Sequence, residues 1–247
     1  PNALTQPKFK MKQVLIVGGA NGIGLAVGTI LADRPEVERV HIVDKAPLQA
    51  QYKKPKISSY EFDLTSEDYS FFDQFTDIDT IFISAGFGKL ALLKDVPDAI
   101  INTYFQVNTI PAMRLIRRFY SKLESDKPFY CGVMVSISAY LSSPFFSVYG
   151  ATKAALRFFI ESINVELEKG GSDNRVLNIS PGSIKGTSFN QGQTDLRQTE
   201  ALANEIIENM EQRNDLFIPQ YEEIFKKVLE RYQADFREEG RRSYDYK

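Results

Sequence analysis

Within seven residues, Gly18-Gly19-Ala20-Asn21-Gly22-Ile23-Gly24, the chain passes from the apolar run ending at Val17 to an apolar pattern of helical spacing. A turn this tight between strand and helix needs positions without Cβ. Backbone amides must approach a bound group closely there, and the helix N-terminus then stabilises negative charge. Strand before and helix after make this a cradle for a pyrophosphate, with Gly18, Ala20, Asn21, Gly22, Ile23 and Gly24 as its contacts. Asp44 closes the next apolar run, 20 residues beyond Gly24. A carboxylate there accepts hydrogen bonds from the hydroxyls of an adenosine ribose. It also repels a 2′-phosphate, which favours NAD, while the adjacent Lys45 keeps NADP open.

Short apolar runs recur at Gln13–Val17, Val40–Val43, Ile57–Phe62, Thr80–Ser84, Phe129–Ser136 and Val176–Ile179, and each reads as a strand. Between them, Gly22–Ala32, Tyr69–Phe75, Pro97–Leu123 and Ser147–Lys169 carry apolar residues at helical spacing. Near-continuous apolar strands alternating with helices imply a parallel sheet covered on both faces, a doubly wound α/β fold. With 247 residues, one domain is expected over 11–247. Residues 1–10 lack apolar periodicity and read as a tag remnant ahead of a native start at Met11. Pro111 falls inside the 98–124 helix and cannot donate to the carbonyl of Val107, so a kink is expected beside Asn108. It is either a tolerated surface proline or a device that frees backbone groups next to Asn108. Pro181-Gly182 then breaks the last strand, and a polar stretch to about Thr194 reads as part of a substrate lid over about 182–215. Beyond Asp195 the pattern is helical again, with Leu202, Ile206, Ile207 and Met210 on one face, and Ile224, Phe225, Val228, Leu229 and Tyr232 on a later one.

Several classes of function are disfavoured. Thirty Lys and Arg against 32 Asp and Glu, with no long block of one sign, offer no footprint for nucleic acid or a membrane surface. No apolar run approaches the roughly 20 residues that span a bilayer. The single cysteine, Cys131, lies in an apolar run and fits a buried thiol in a reducing, cytoplasmic setting. His41, the only histidine, sits inside the second strand as a packed residue. No His, Cys or carboxylate cluster offers a metal site.

Tyr149-Gly150-Ala151-Thr152-Lys153 begins a helix, which puts Tyr149 and Lys153 on one face. A phenol is a poor base at neutral pH, but an ammonium within about 6 Å favours its phenolate. Over roughly Met11–Phe189 the chain resembles the short-chain dehydrogenase/reductase family. The glycines match at Gly18, Gly22 and Gly24, and Asp63-Leu64 looks like the pair that meets the adenine ring. Ser84-Ala85-Gly86 follows the fourth strand where the family usually has Asn-Asn-Ala-Gly, so Ile83 and Ser84 depart from the pattern. Val107-Asn108 matches the family's helix asparagine, Tyr149 and Lys153 its catalytic pair, and Pro181-Gly182-Ser183-Ile184 the segment that meets the nicotinamide carboxamide. Thr187 is similar to the threonine that follows, one position late because Gly186 intervenes.

The resemblance implies a single Rossmann domain with strand order 3-2-1-4-5-6, helices on both faces and a helical C-terminal extension. It also implies NAD or NADP as cofactor, bound by the glycine turn, Asp44, Asp63, Leu64, Ala85, Gly86, Asn108, Tyr149, Lys153, Pro181, Gly182, Ile184 and Thr187. A serine would hold the oxygen of a small carbonyl or alcohol substrate, and Tyr149 would give or take its proton. Lys153 would bind the nicotinamide ribose, and Asn108 would complete a water-mediated proton path. Ser136 and Ser138 share strand parity and both remain candidates for that serine, with Ser136, 13 residues before Tyr149, favoured by family spacing. A homodimer or homotetramer through the 98–124 and 147–169 helices is also implied. A dinucleotide-binding regulator on the same fold, or an epimerase or dehydratase using the same site, stays open. Members commonly end with a strand carrying a Gly-Gly pair; this chain instead reads Leu216-Phe217-Ile218-Pro219 and then a charged helix, so one wall of the substrate pocket has no expectation beyond a set of aromatics, Tyr140, Phe145, Phe146 and Phe189.

Overall fold

A computed structural model describes residues 10–187 and 193–247. The expected tag remnant, apart from Lys10, and Phe189 lie outside the described residues. Strands β1 (Gln13–Val17), β2 (Arg39–Asp44), β3 (Ile57–Glu61), β4 (Thr80–Ile83), β5 (Tyr130–Met134), β6 (Val176–Ile179) and β7 (Leu216–Phe217) form one parallel sheet in the order β3-β2-β1-β4-β5-β6-β7. The six expected strands are present in the expected order. The seventh is an addition: Leu216 and Phe217 pair with Asn178 and Ile179, and two residues are too few to carry a period-two signal in a sequence.

Strand alternation divides the core into two layers. Leu15, Val17, Ile81, Ile83, Cys131 and Val133 point to one face, which is covered by α2 (Asp98–Asn108), α3 (Ile110–Arg118), α4 (Tyr120–Leu123) and α5 (Ser147–Lys169). Val14, Ile16, Ile42, Phe82, Leu177 and Ile179 point to the other, under α1 (Gly22–Ala32) and α6 (Leu196–Glu211). Burying one such aliphatic side chain stabilises the fold by about 1.5–3 kcal/mol, so each layer fixes the orientation of the helices above it. On α5 the buried residues are Tyr149, Thr152, Lys153, Leu156, Ile160, Asn164 and Leu167, a single helical stripe. The packing of Leu156, Ile160 and Leu167 thereby dictates where Tyr149 and Lys153 point.

Two local expectations are corrected. The 98–124 segment is three helices: it breaks at Thr109, immediately after Asn108, and again at Phe119. Pro111 is the second residue of α3, in a first turn whose amides need no intrahelical acceptor, so the chain restarts a helix there instead of kinking a continuous one. The Tyr69–Phe75 stretch is a 3-10 helix over Ser70–Gln74. Tyr69, Phe72 and Phe75 are all buried, and their three-residue spacing is that of one 3-10 face.

Segment 196–211, part of the expected lid, is α6, with Ala203, Ile206, Ile207 and Met210 buried. After β7 the chain forms a π-helical turn at Tyr221–Phe225, then α7 (Lys226–Ala234) and α8 (Phe236–Arg242). Asp235 separates the last two and caps α8, accepting from Arg237 N and Glu238 N at 3.0 Å each. Among the described residues no helix is long and apolar enough to cross a membrane.

Candidate active site

The carboxyl ends of β1, β4, β5 and β6 open onto a cleft of about 2080 Å³, at the point where strand order reverses beside β1. Open α/β sheets bind ligands at that position. The floor is the turn after β1. Gly18 has φ +85°, and a Cβ there would stand 2.4 Å from Ala85 N; a Cβ on Gly24 would stand 2.3 Å from the Gly18 carbonyl oxygen. Only glycine lets the first turn of α1 close so tightly on β1 and β4. Ala20 N donates to Asp44 Oδ2 at 3.0 Å, and Asp44 Oδ1 accepts from Ala46 N at 3.0 Å. Asp44 thus ties the end of β2 to the glycine turn. Gly22 N, an amide of the cradle, donates to Thr194 Oγ1 at 3.1 Å. This hydroxyl shows that the amide is available to an oxygen ligand, and sequence inspection gave no signal for it.

The turn after β4 carries Ala85 and Gly86. Ala85 N donates to Val17 O at 3.1 Å, and a Cβ on Gly86 would be 3.4 Å from both Asn108 Oδ1 and Lys153 Nζ. Asn108, 2% exposed, clamps this turn: its Oδ1 accepts from Phe87 N at 2.9 Å, and its Nδ2 donates to Phe87 O at 2.8 Å and to Thr152 Oγ1 at 3.3 Å. The break after α2 is held against α5 by Thr109 Oγ1, which donates to Thr152 O at 3.0 Å. Where Ile83 and Ser84 leave the turn without asparagine side chains, Asn108 supplies the amide that fixes it.

At the end of β5, Ser136 begins a short 3-10 turn, and its Oγ accepts from Ser138 N at 3.0 Å. The Ser136 side chain also lies close enough to the phenol of Tyr149 to draw its pKa down. Ser138 lines the cleft as well, but its backbone amide serves to orient Ser136. Tyr149 and Lys153 are both buried, and Lys153 Nζ lies 5.8 Å from the Tyr149 ring centroid, donating to Met134 O at 3.1 Å. Burial pushes the phenol up to about 12, against a lowering pull from Ser136, and it pushes the lysine down to about 8. Desolvation therefore outweighs the mutual help expected from the pair, and both groups are driven toward their neutral forms.

Along the other wall, Pro181 O accepts from Ile137 N at 3.1 Å, and Gly182, Ile184 and Thr187 follow along the cleft. Thr187 Oγ1 donates to Ile184 O at 3.3 Å, and its side chain lies 3.7 Å from where a Cβ on Gly22 would be. Asp63 lies outside the cleft lining; its Oδ1 accepts from Thr65 N at 2.9 Å and its Oδ2 faces Lys45 Nζ at 3.7 Å. Leu64 O accepts from Tyr69 OH at 2.6 Å. Of the aromatics expected around the substrate, only Phe146 of the described set lines the cleft. Phe145 packs on Tyr244, and Tyr140 on Phe225 and Arg157. The wall left without an expectation comes from Val228, Arg231, Tyr232 and the 238–247 segment. His41 packs between Tyr60 and Phe75, and burial pushes the Cys131 thiol up to about 12, which leaves it unreactive.

The fold recurs in known proteins. A short chain dehydrogenase/reductase of Claviceps purpurea is 26% identical over 185 residues, which span 70% of this chain and 62% of that protein's own length. Among solved structures, a short chain dehydrogenase/reductase from Burkholderia phymatum in complex with NAD superposes with a TM-score of 0.78 at 16% identity, covering 94% of this chain and 96% of that one. A short chain dehydrogenase from Burkholderia cenocepacia in complex with NADP gives 0.73 at 18% identity, covering 91% and 95%. At these identities the two structures speak to the fold alone. The family profile of short chain dehydrogenases matches residues 12–200, the stretch that holds the glycine turn, Asn108, Ser136, Tyr149 and Lys153, and the chain belongs to that family.

Proposed function

We propose that the chain is a nicotinamide-dependent oxidoreductase that interconverts a carbonyl compound and a secondary alcohol, with Tyr149 as the proton-transferring group. The observation that carries this is that Ser136 and Tyr149 line one cleft, with Lys153 buried 5.8 Å from the Tyr149 ring centroid. The residues present fit a dinucleotide: Gly18 and Gly24 let the first turn of α1 close tightly on the end of β1, and the amide of Gly22 faces an oxygen acceptor. When bound, the nicotinamide supplies or accepts the hydride.

The chain's own residues then do the rest. The Ser136 hydroxyl holds the substrate oxygen beside the Tyr149 hydroxyl, which donates its proton to that oxygen in reduction and takes it back in oxidation. Because burial holds Tyr149 as the phenol at neutral pH, the group rests in the form that donates a proton in reduction. Lys153, near Gly86 and Asn108, is placed to hold the nicotinamide ribose. Asn108 acts by fixing the Phe87 turn against α5, and so sets the position of Lys153. Thr187 and the Pro181–Ile184 segment face the same space, and Gln193, Thr194 and Asp195 line it as well. A panel of ketones, aldehydes and quinones should reveal NADH or NADPH consumption; no turnover with any of them, despite cofactor binding, would sink the reading.

The cofactor is NAD by preference, because Asp44 stands at the end of β2 beside Ala20 with its carboxylate directed at the glycine turn. Lys45, the cation that could offset it, faces Asp63 instead. Asp44→Ala should move the ratio of NADPH to NADH affinity upward by at least about tenfold, since like charges brought together cost several kcal/mol. Equal ratios in wild type and variant, by fluorescence titration, would show that Asp44 does not face the ribose.

Self-association through α5 and the 98–124 helices completes the proposal. Phe158, 76% exposed, and Val165 lie seven residues apart on the outer face of α5, and Ile110 is exposed at the start of α3. Such a stripe is suited to a second copy of the chain. Light scattering should give the mass of a dimer or tetramer that Phe158→Asp dissociates; a monomeric wild type refutes it.

A further inference from the structure

The wall for which sequence inspection offered no expectation is built by residues 228–247 folding back onto the loop that precedes α5. Tyr232 OH donates to Ser142 Oγ at 3.0 Å, the Ser143 and Ser243 hydroxyls are 3.0 Å apart, and the Phe145 and Tyr244 rings are 5.1 Å apart. Phe145 holds a left-handed backbone, φ +72°, which turns its ring toward Tyr244 while Phe146 faces the cleft. Lys247 closes this contact. Its Nζ donates to Ser143 Oγ and, at 3.3 Å, to Pro144 O, and it stands 4.9 Å from the Phe146 ring centroid. The Phe146 ring is in turn 5.2 Å from that of Tyr149, so the ammonium is no more than about 10 Å from the centre of the Tyr149 ring.

The charges around it are unevenly matched. Arg231 donates to both oxygens of Glu239 at 3.0 Å, and Arg242 faces Glu238 and Glu239 at 4.0 and 3.9 Å. Arg197 pairs with Asp195 at 3.4 Å. Lys185 also lines the cleft, exposed on the 181–187 segment. Lys247 is half-buried, and among the described residues no carboxylate stands within 4 Å of it; its partners are a hydroxyl, a carbonyl and an aromatic face. Burial already lowers its pKa, and a partly desolvated cation of this kind is stabilised by an incoming anion.

We infer that Lys247 and Ser143 form the anion-recognising end of the substrate pocket, and that the substrate is a carbonyl compound or alcohol bearing a carboxylate within reach of both Tyr149 and Lys247. This rests on the hydride-transfer reading of the same cleft. The test uses the whole chain with NADH or NADPH and two probes of one shape, para-carboxybenzaldehyde and its methyl ester. Wild type should favour the acid in kcat/KM. Lys247→Met should lower the acid-to-ester ratio by about tenfold, Lys247→Glu should lower it further, and Lys247→Arg should restore it. A general loss of activity lowers both probes together and leaves the ratio unmoved, so a ratio unchanged across these variants overturns the inference.

A second measurement separates the two readings. Calorimetric titration of benzoate should show binding that Lys247→Met weakens by about tenfold, with benzamide as the uncharged comparison. If neither aldehyde is reduced but benzoate binding depends on Lys247, the hydride-transfer reading fails and the anion position stands. Benzoate binding that is absent, or equal in wild type and Lys247→Met, removes the anion position.

Discussion

Tyr149→Phe is expected to reduce carbonyl reduction by at least about a hundredfold, the low end for removing a positioned general acid. The ring stays, with its packing against Phe146, and only the hydroxyl near Ser136 is lost. Stability should therefore fall by only about 1 kcal/mol, and NADH affinity should hold, which separates lost chemistry from lost fold. The pH profile supplies a second reading of the same group. Reduction needs the phenol, which burial preserves up to about 12. Oxidation needs the phenolate, so its rate should climb with rising pH, whereas reduction should not. Lys153, lowered to about 8 by burial, holds its ammonium fully only below that value; above it, electrostatic support for a phenolate is progressively lost and the climb should flatten. Turnover of Tyr149→Phe at the wild-type rate would remove Tyr149 from the mechanism whatever the profile.

Gly24→Ala should weaken dinucleotide binding by between about tenfold and a hundredfold. The added methyl would meet the Gly18 carbonyl oxygen at 2.3 Å, a backbone atom that cannot step aside. Overpacking of this kind costs about 1–3 kcal/mol, and each 1.4 kcal/mol is a factor of ten. The displaced element is the first turn of α1, whose amides form the cradle. Gly28→Ala, one turn further along α1, is the comparison: its methyl meets Ile42 at 3.4 Å, an ordinary contact, and the helix gains from the substitution. NADH titration should place the two variants apart while circular dichroism shows both folded; equal affinities would mean that the Gly24 turn is not the cradle.

Much of the cofactor half was legible because its determinants are local. The glycine turn, Asp44 at a strand end and the Tyr149 to Lys153 spacing each fall within one element or one connection, where period and steric need are written in neighbouring residues. The near-continuous apolar strands likewise announced a sheet covered on both faces. The break after Asn108 was signalled by Pro111, although a helix restarting at Ile110 differs from a kinked one only in where the surrounding core lets α3 point.

The chain by itself determined a parallel doubly wound sheet, the glycine turn after its first strand and the buried stripe of α5 that carries Tyr149 and Lys153. Tertiary structure decided what depends on distant residues meeting. The approach of Ser136 to Tyr149, with Ser138 N donating to the Ser136 hydroxyl, is set by how β5 and α5 pack. The direction of both titrations is set by burial, which no spacing of Tyr and Lys reveals, since an i, i+4 pair on a wet surface would help each other and this one is desolvated instead. β7, the Asn108 clamp on Phe87, and Lys247 beside Phe146 join residues up to about a hundred positions apart. Their contacts exist only after the sheet and its helices have brought them together.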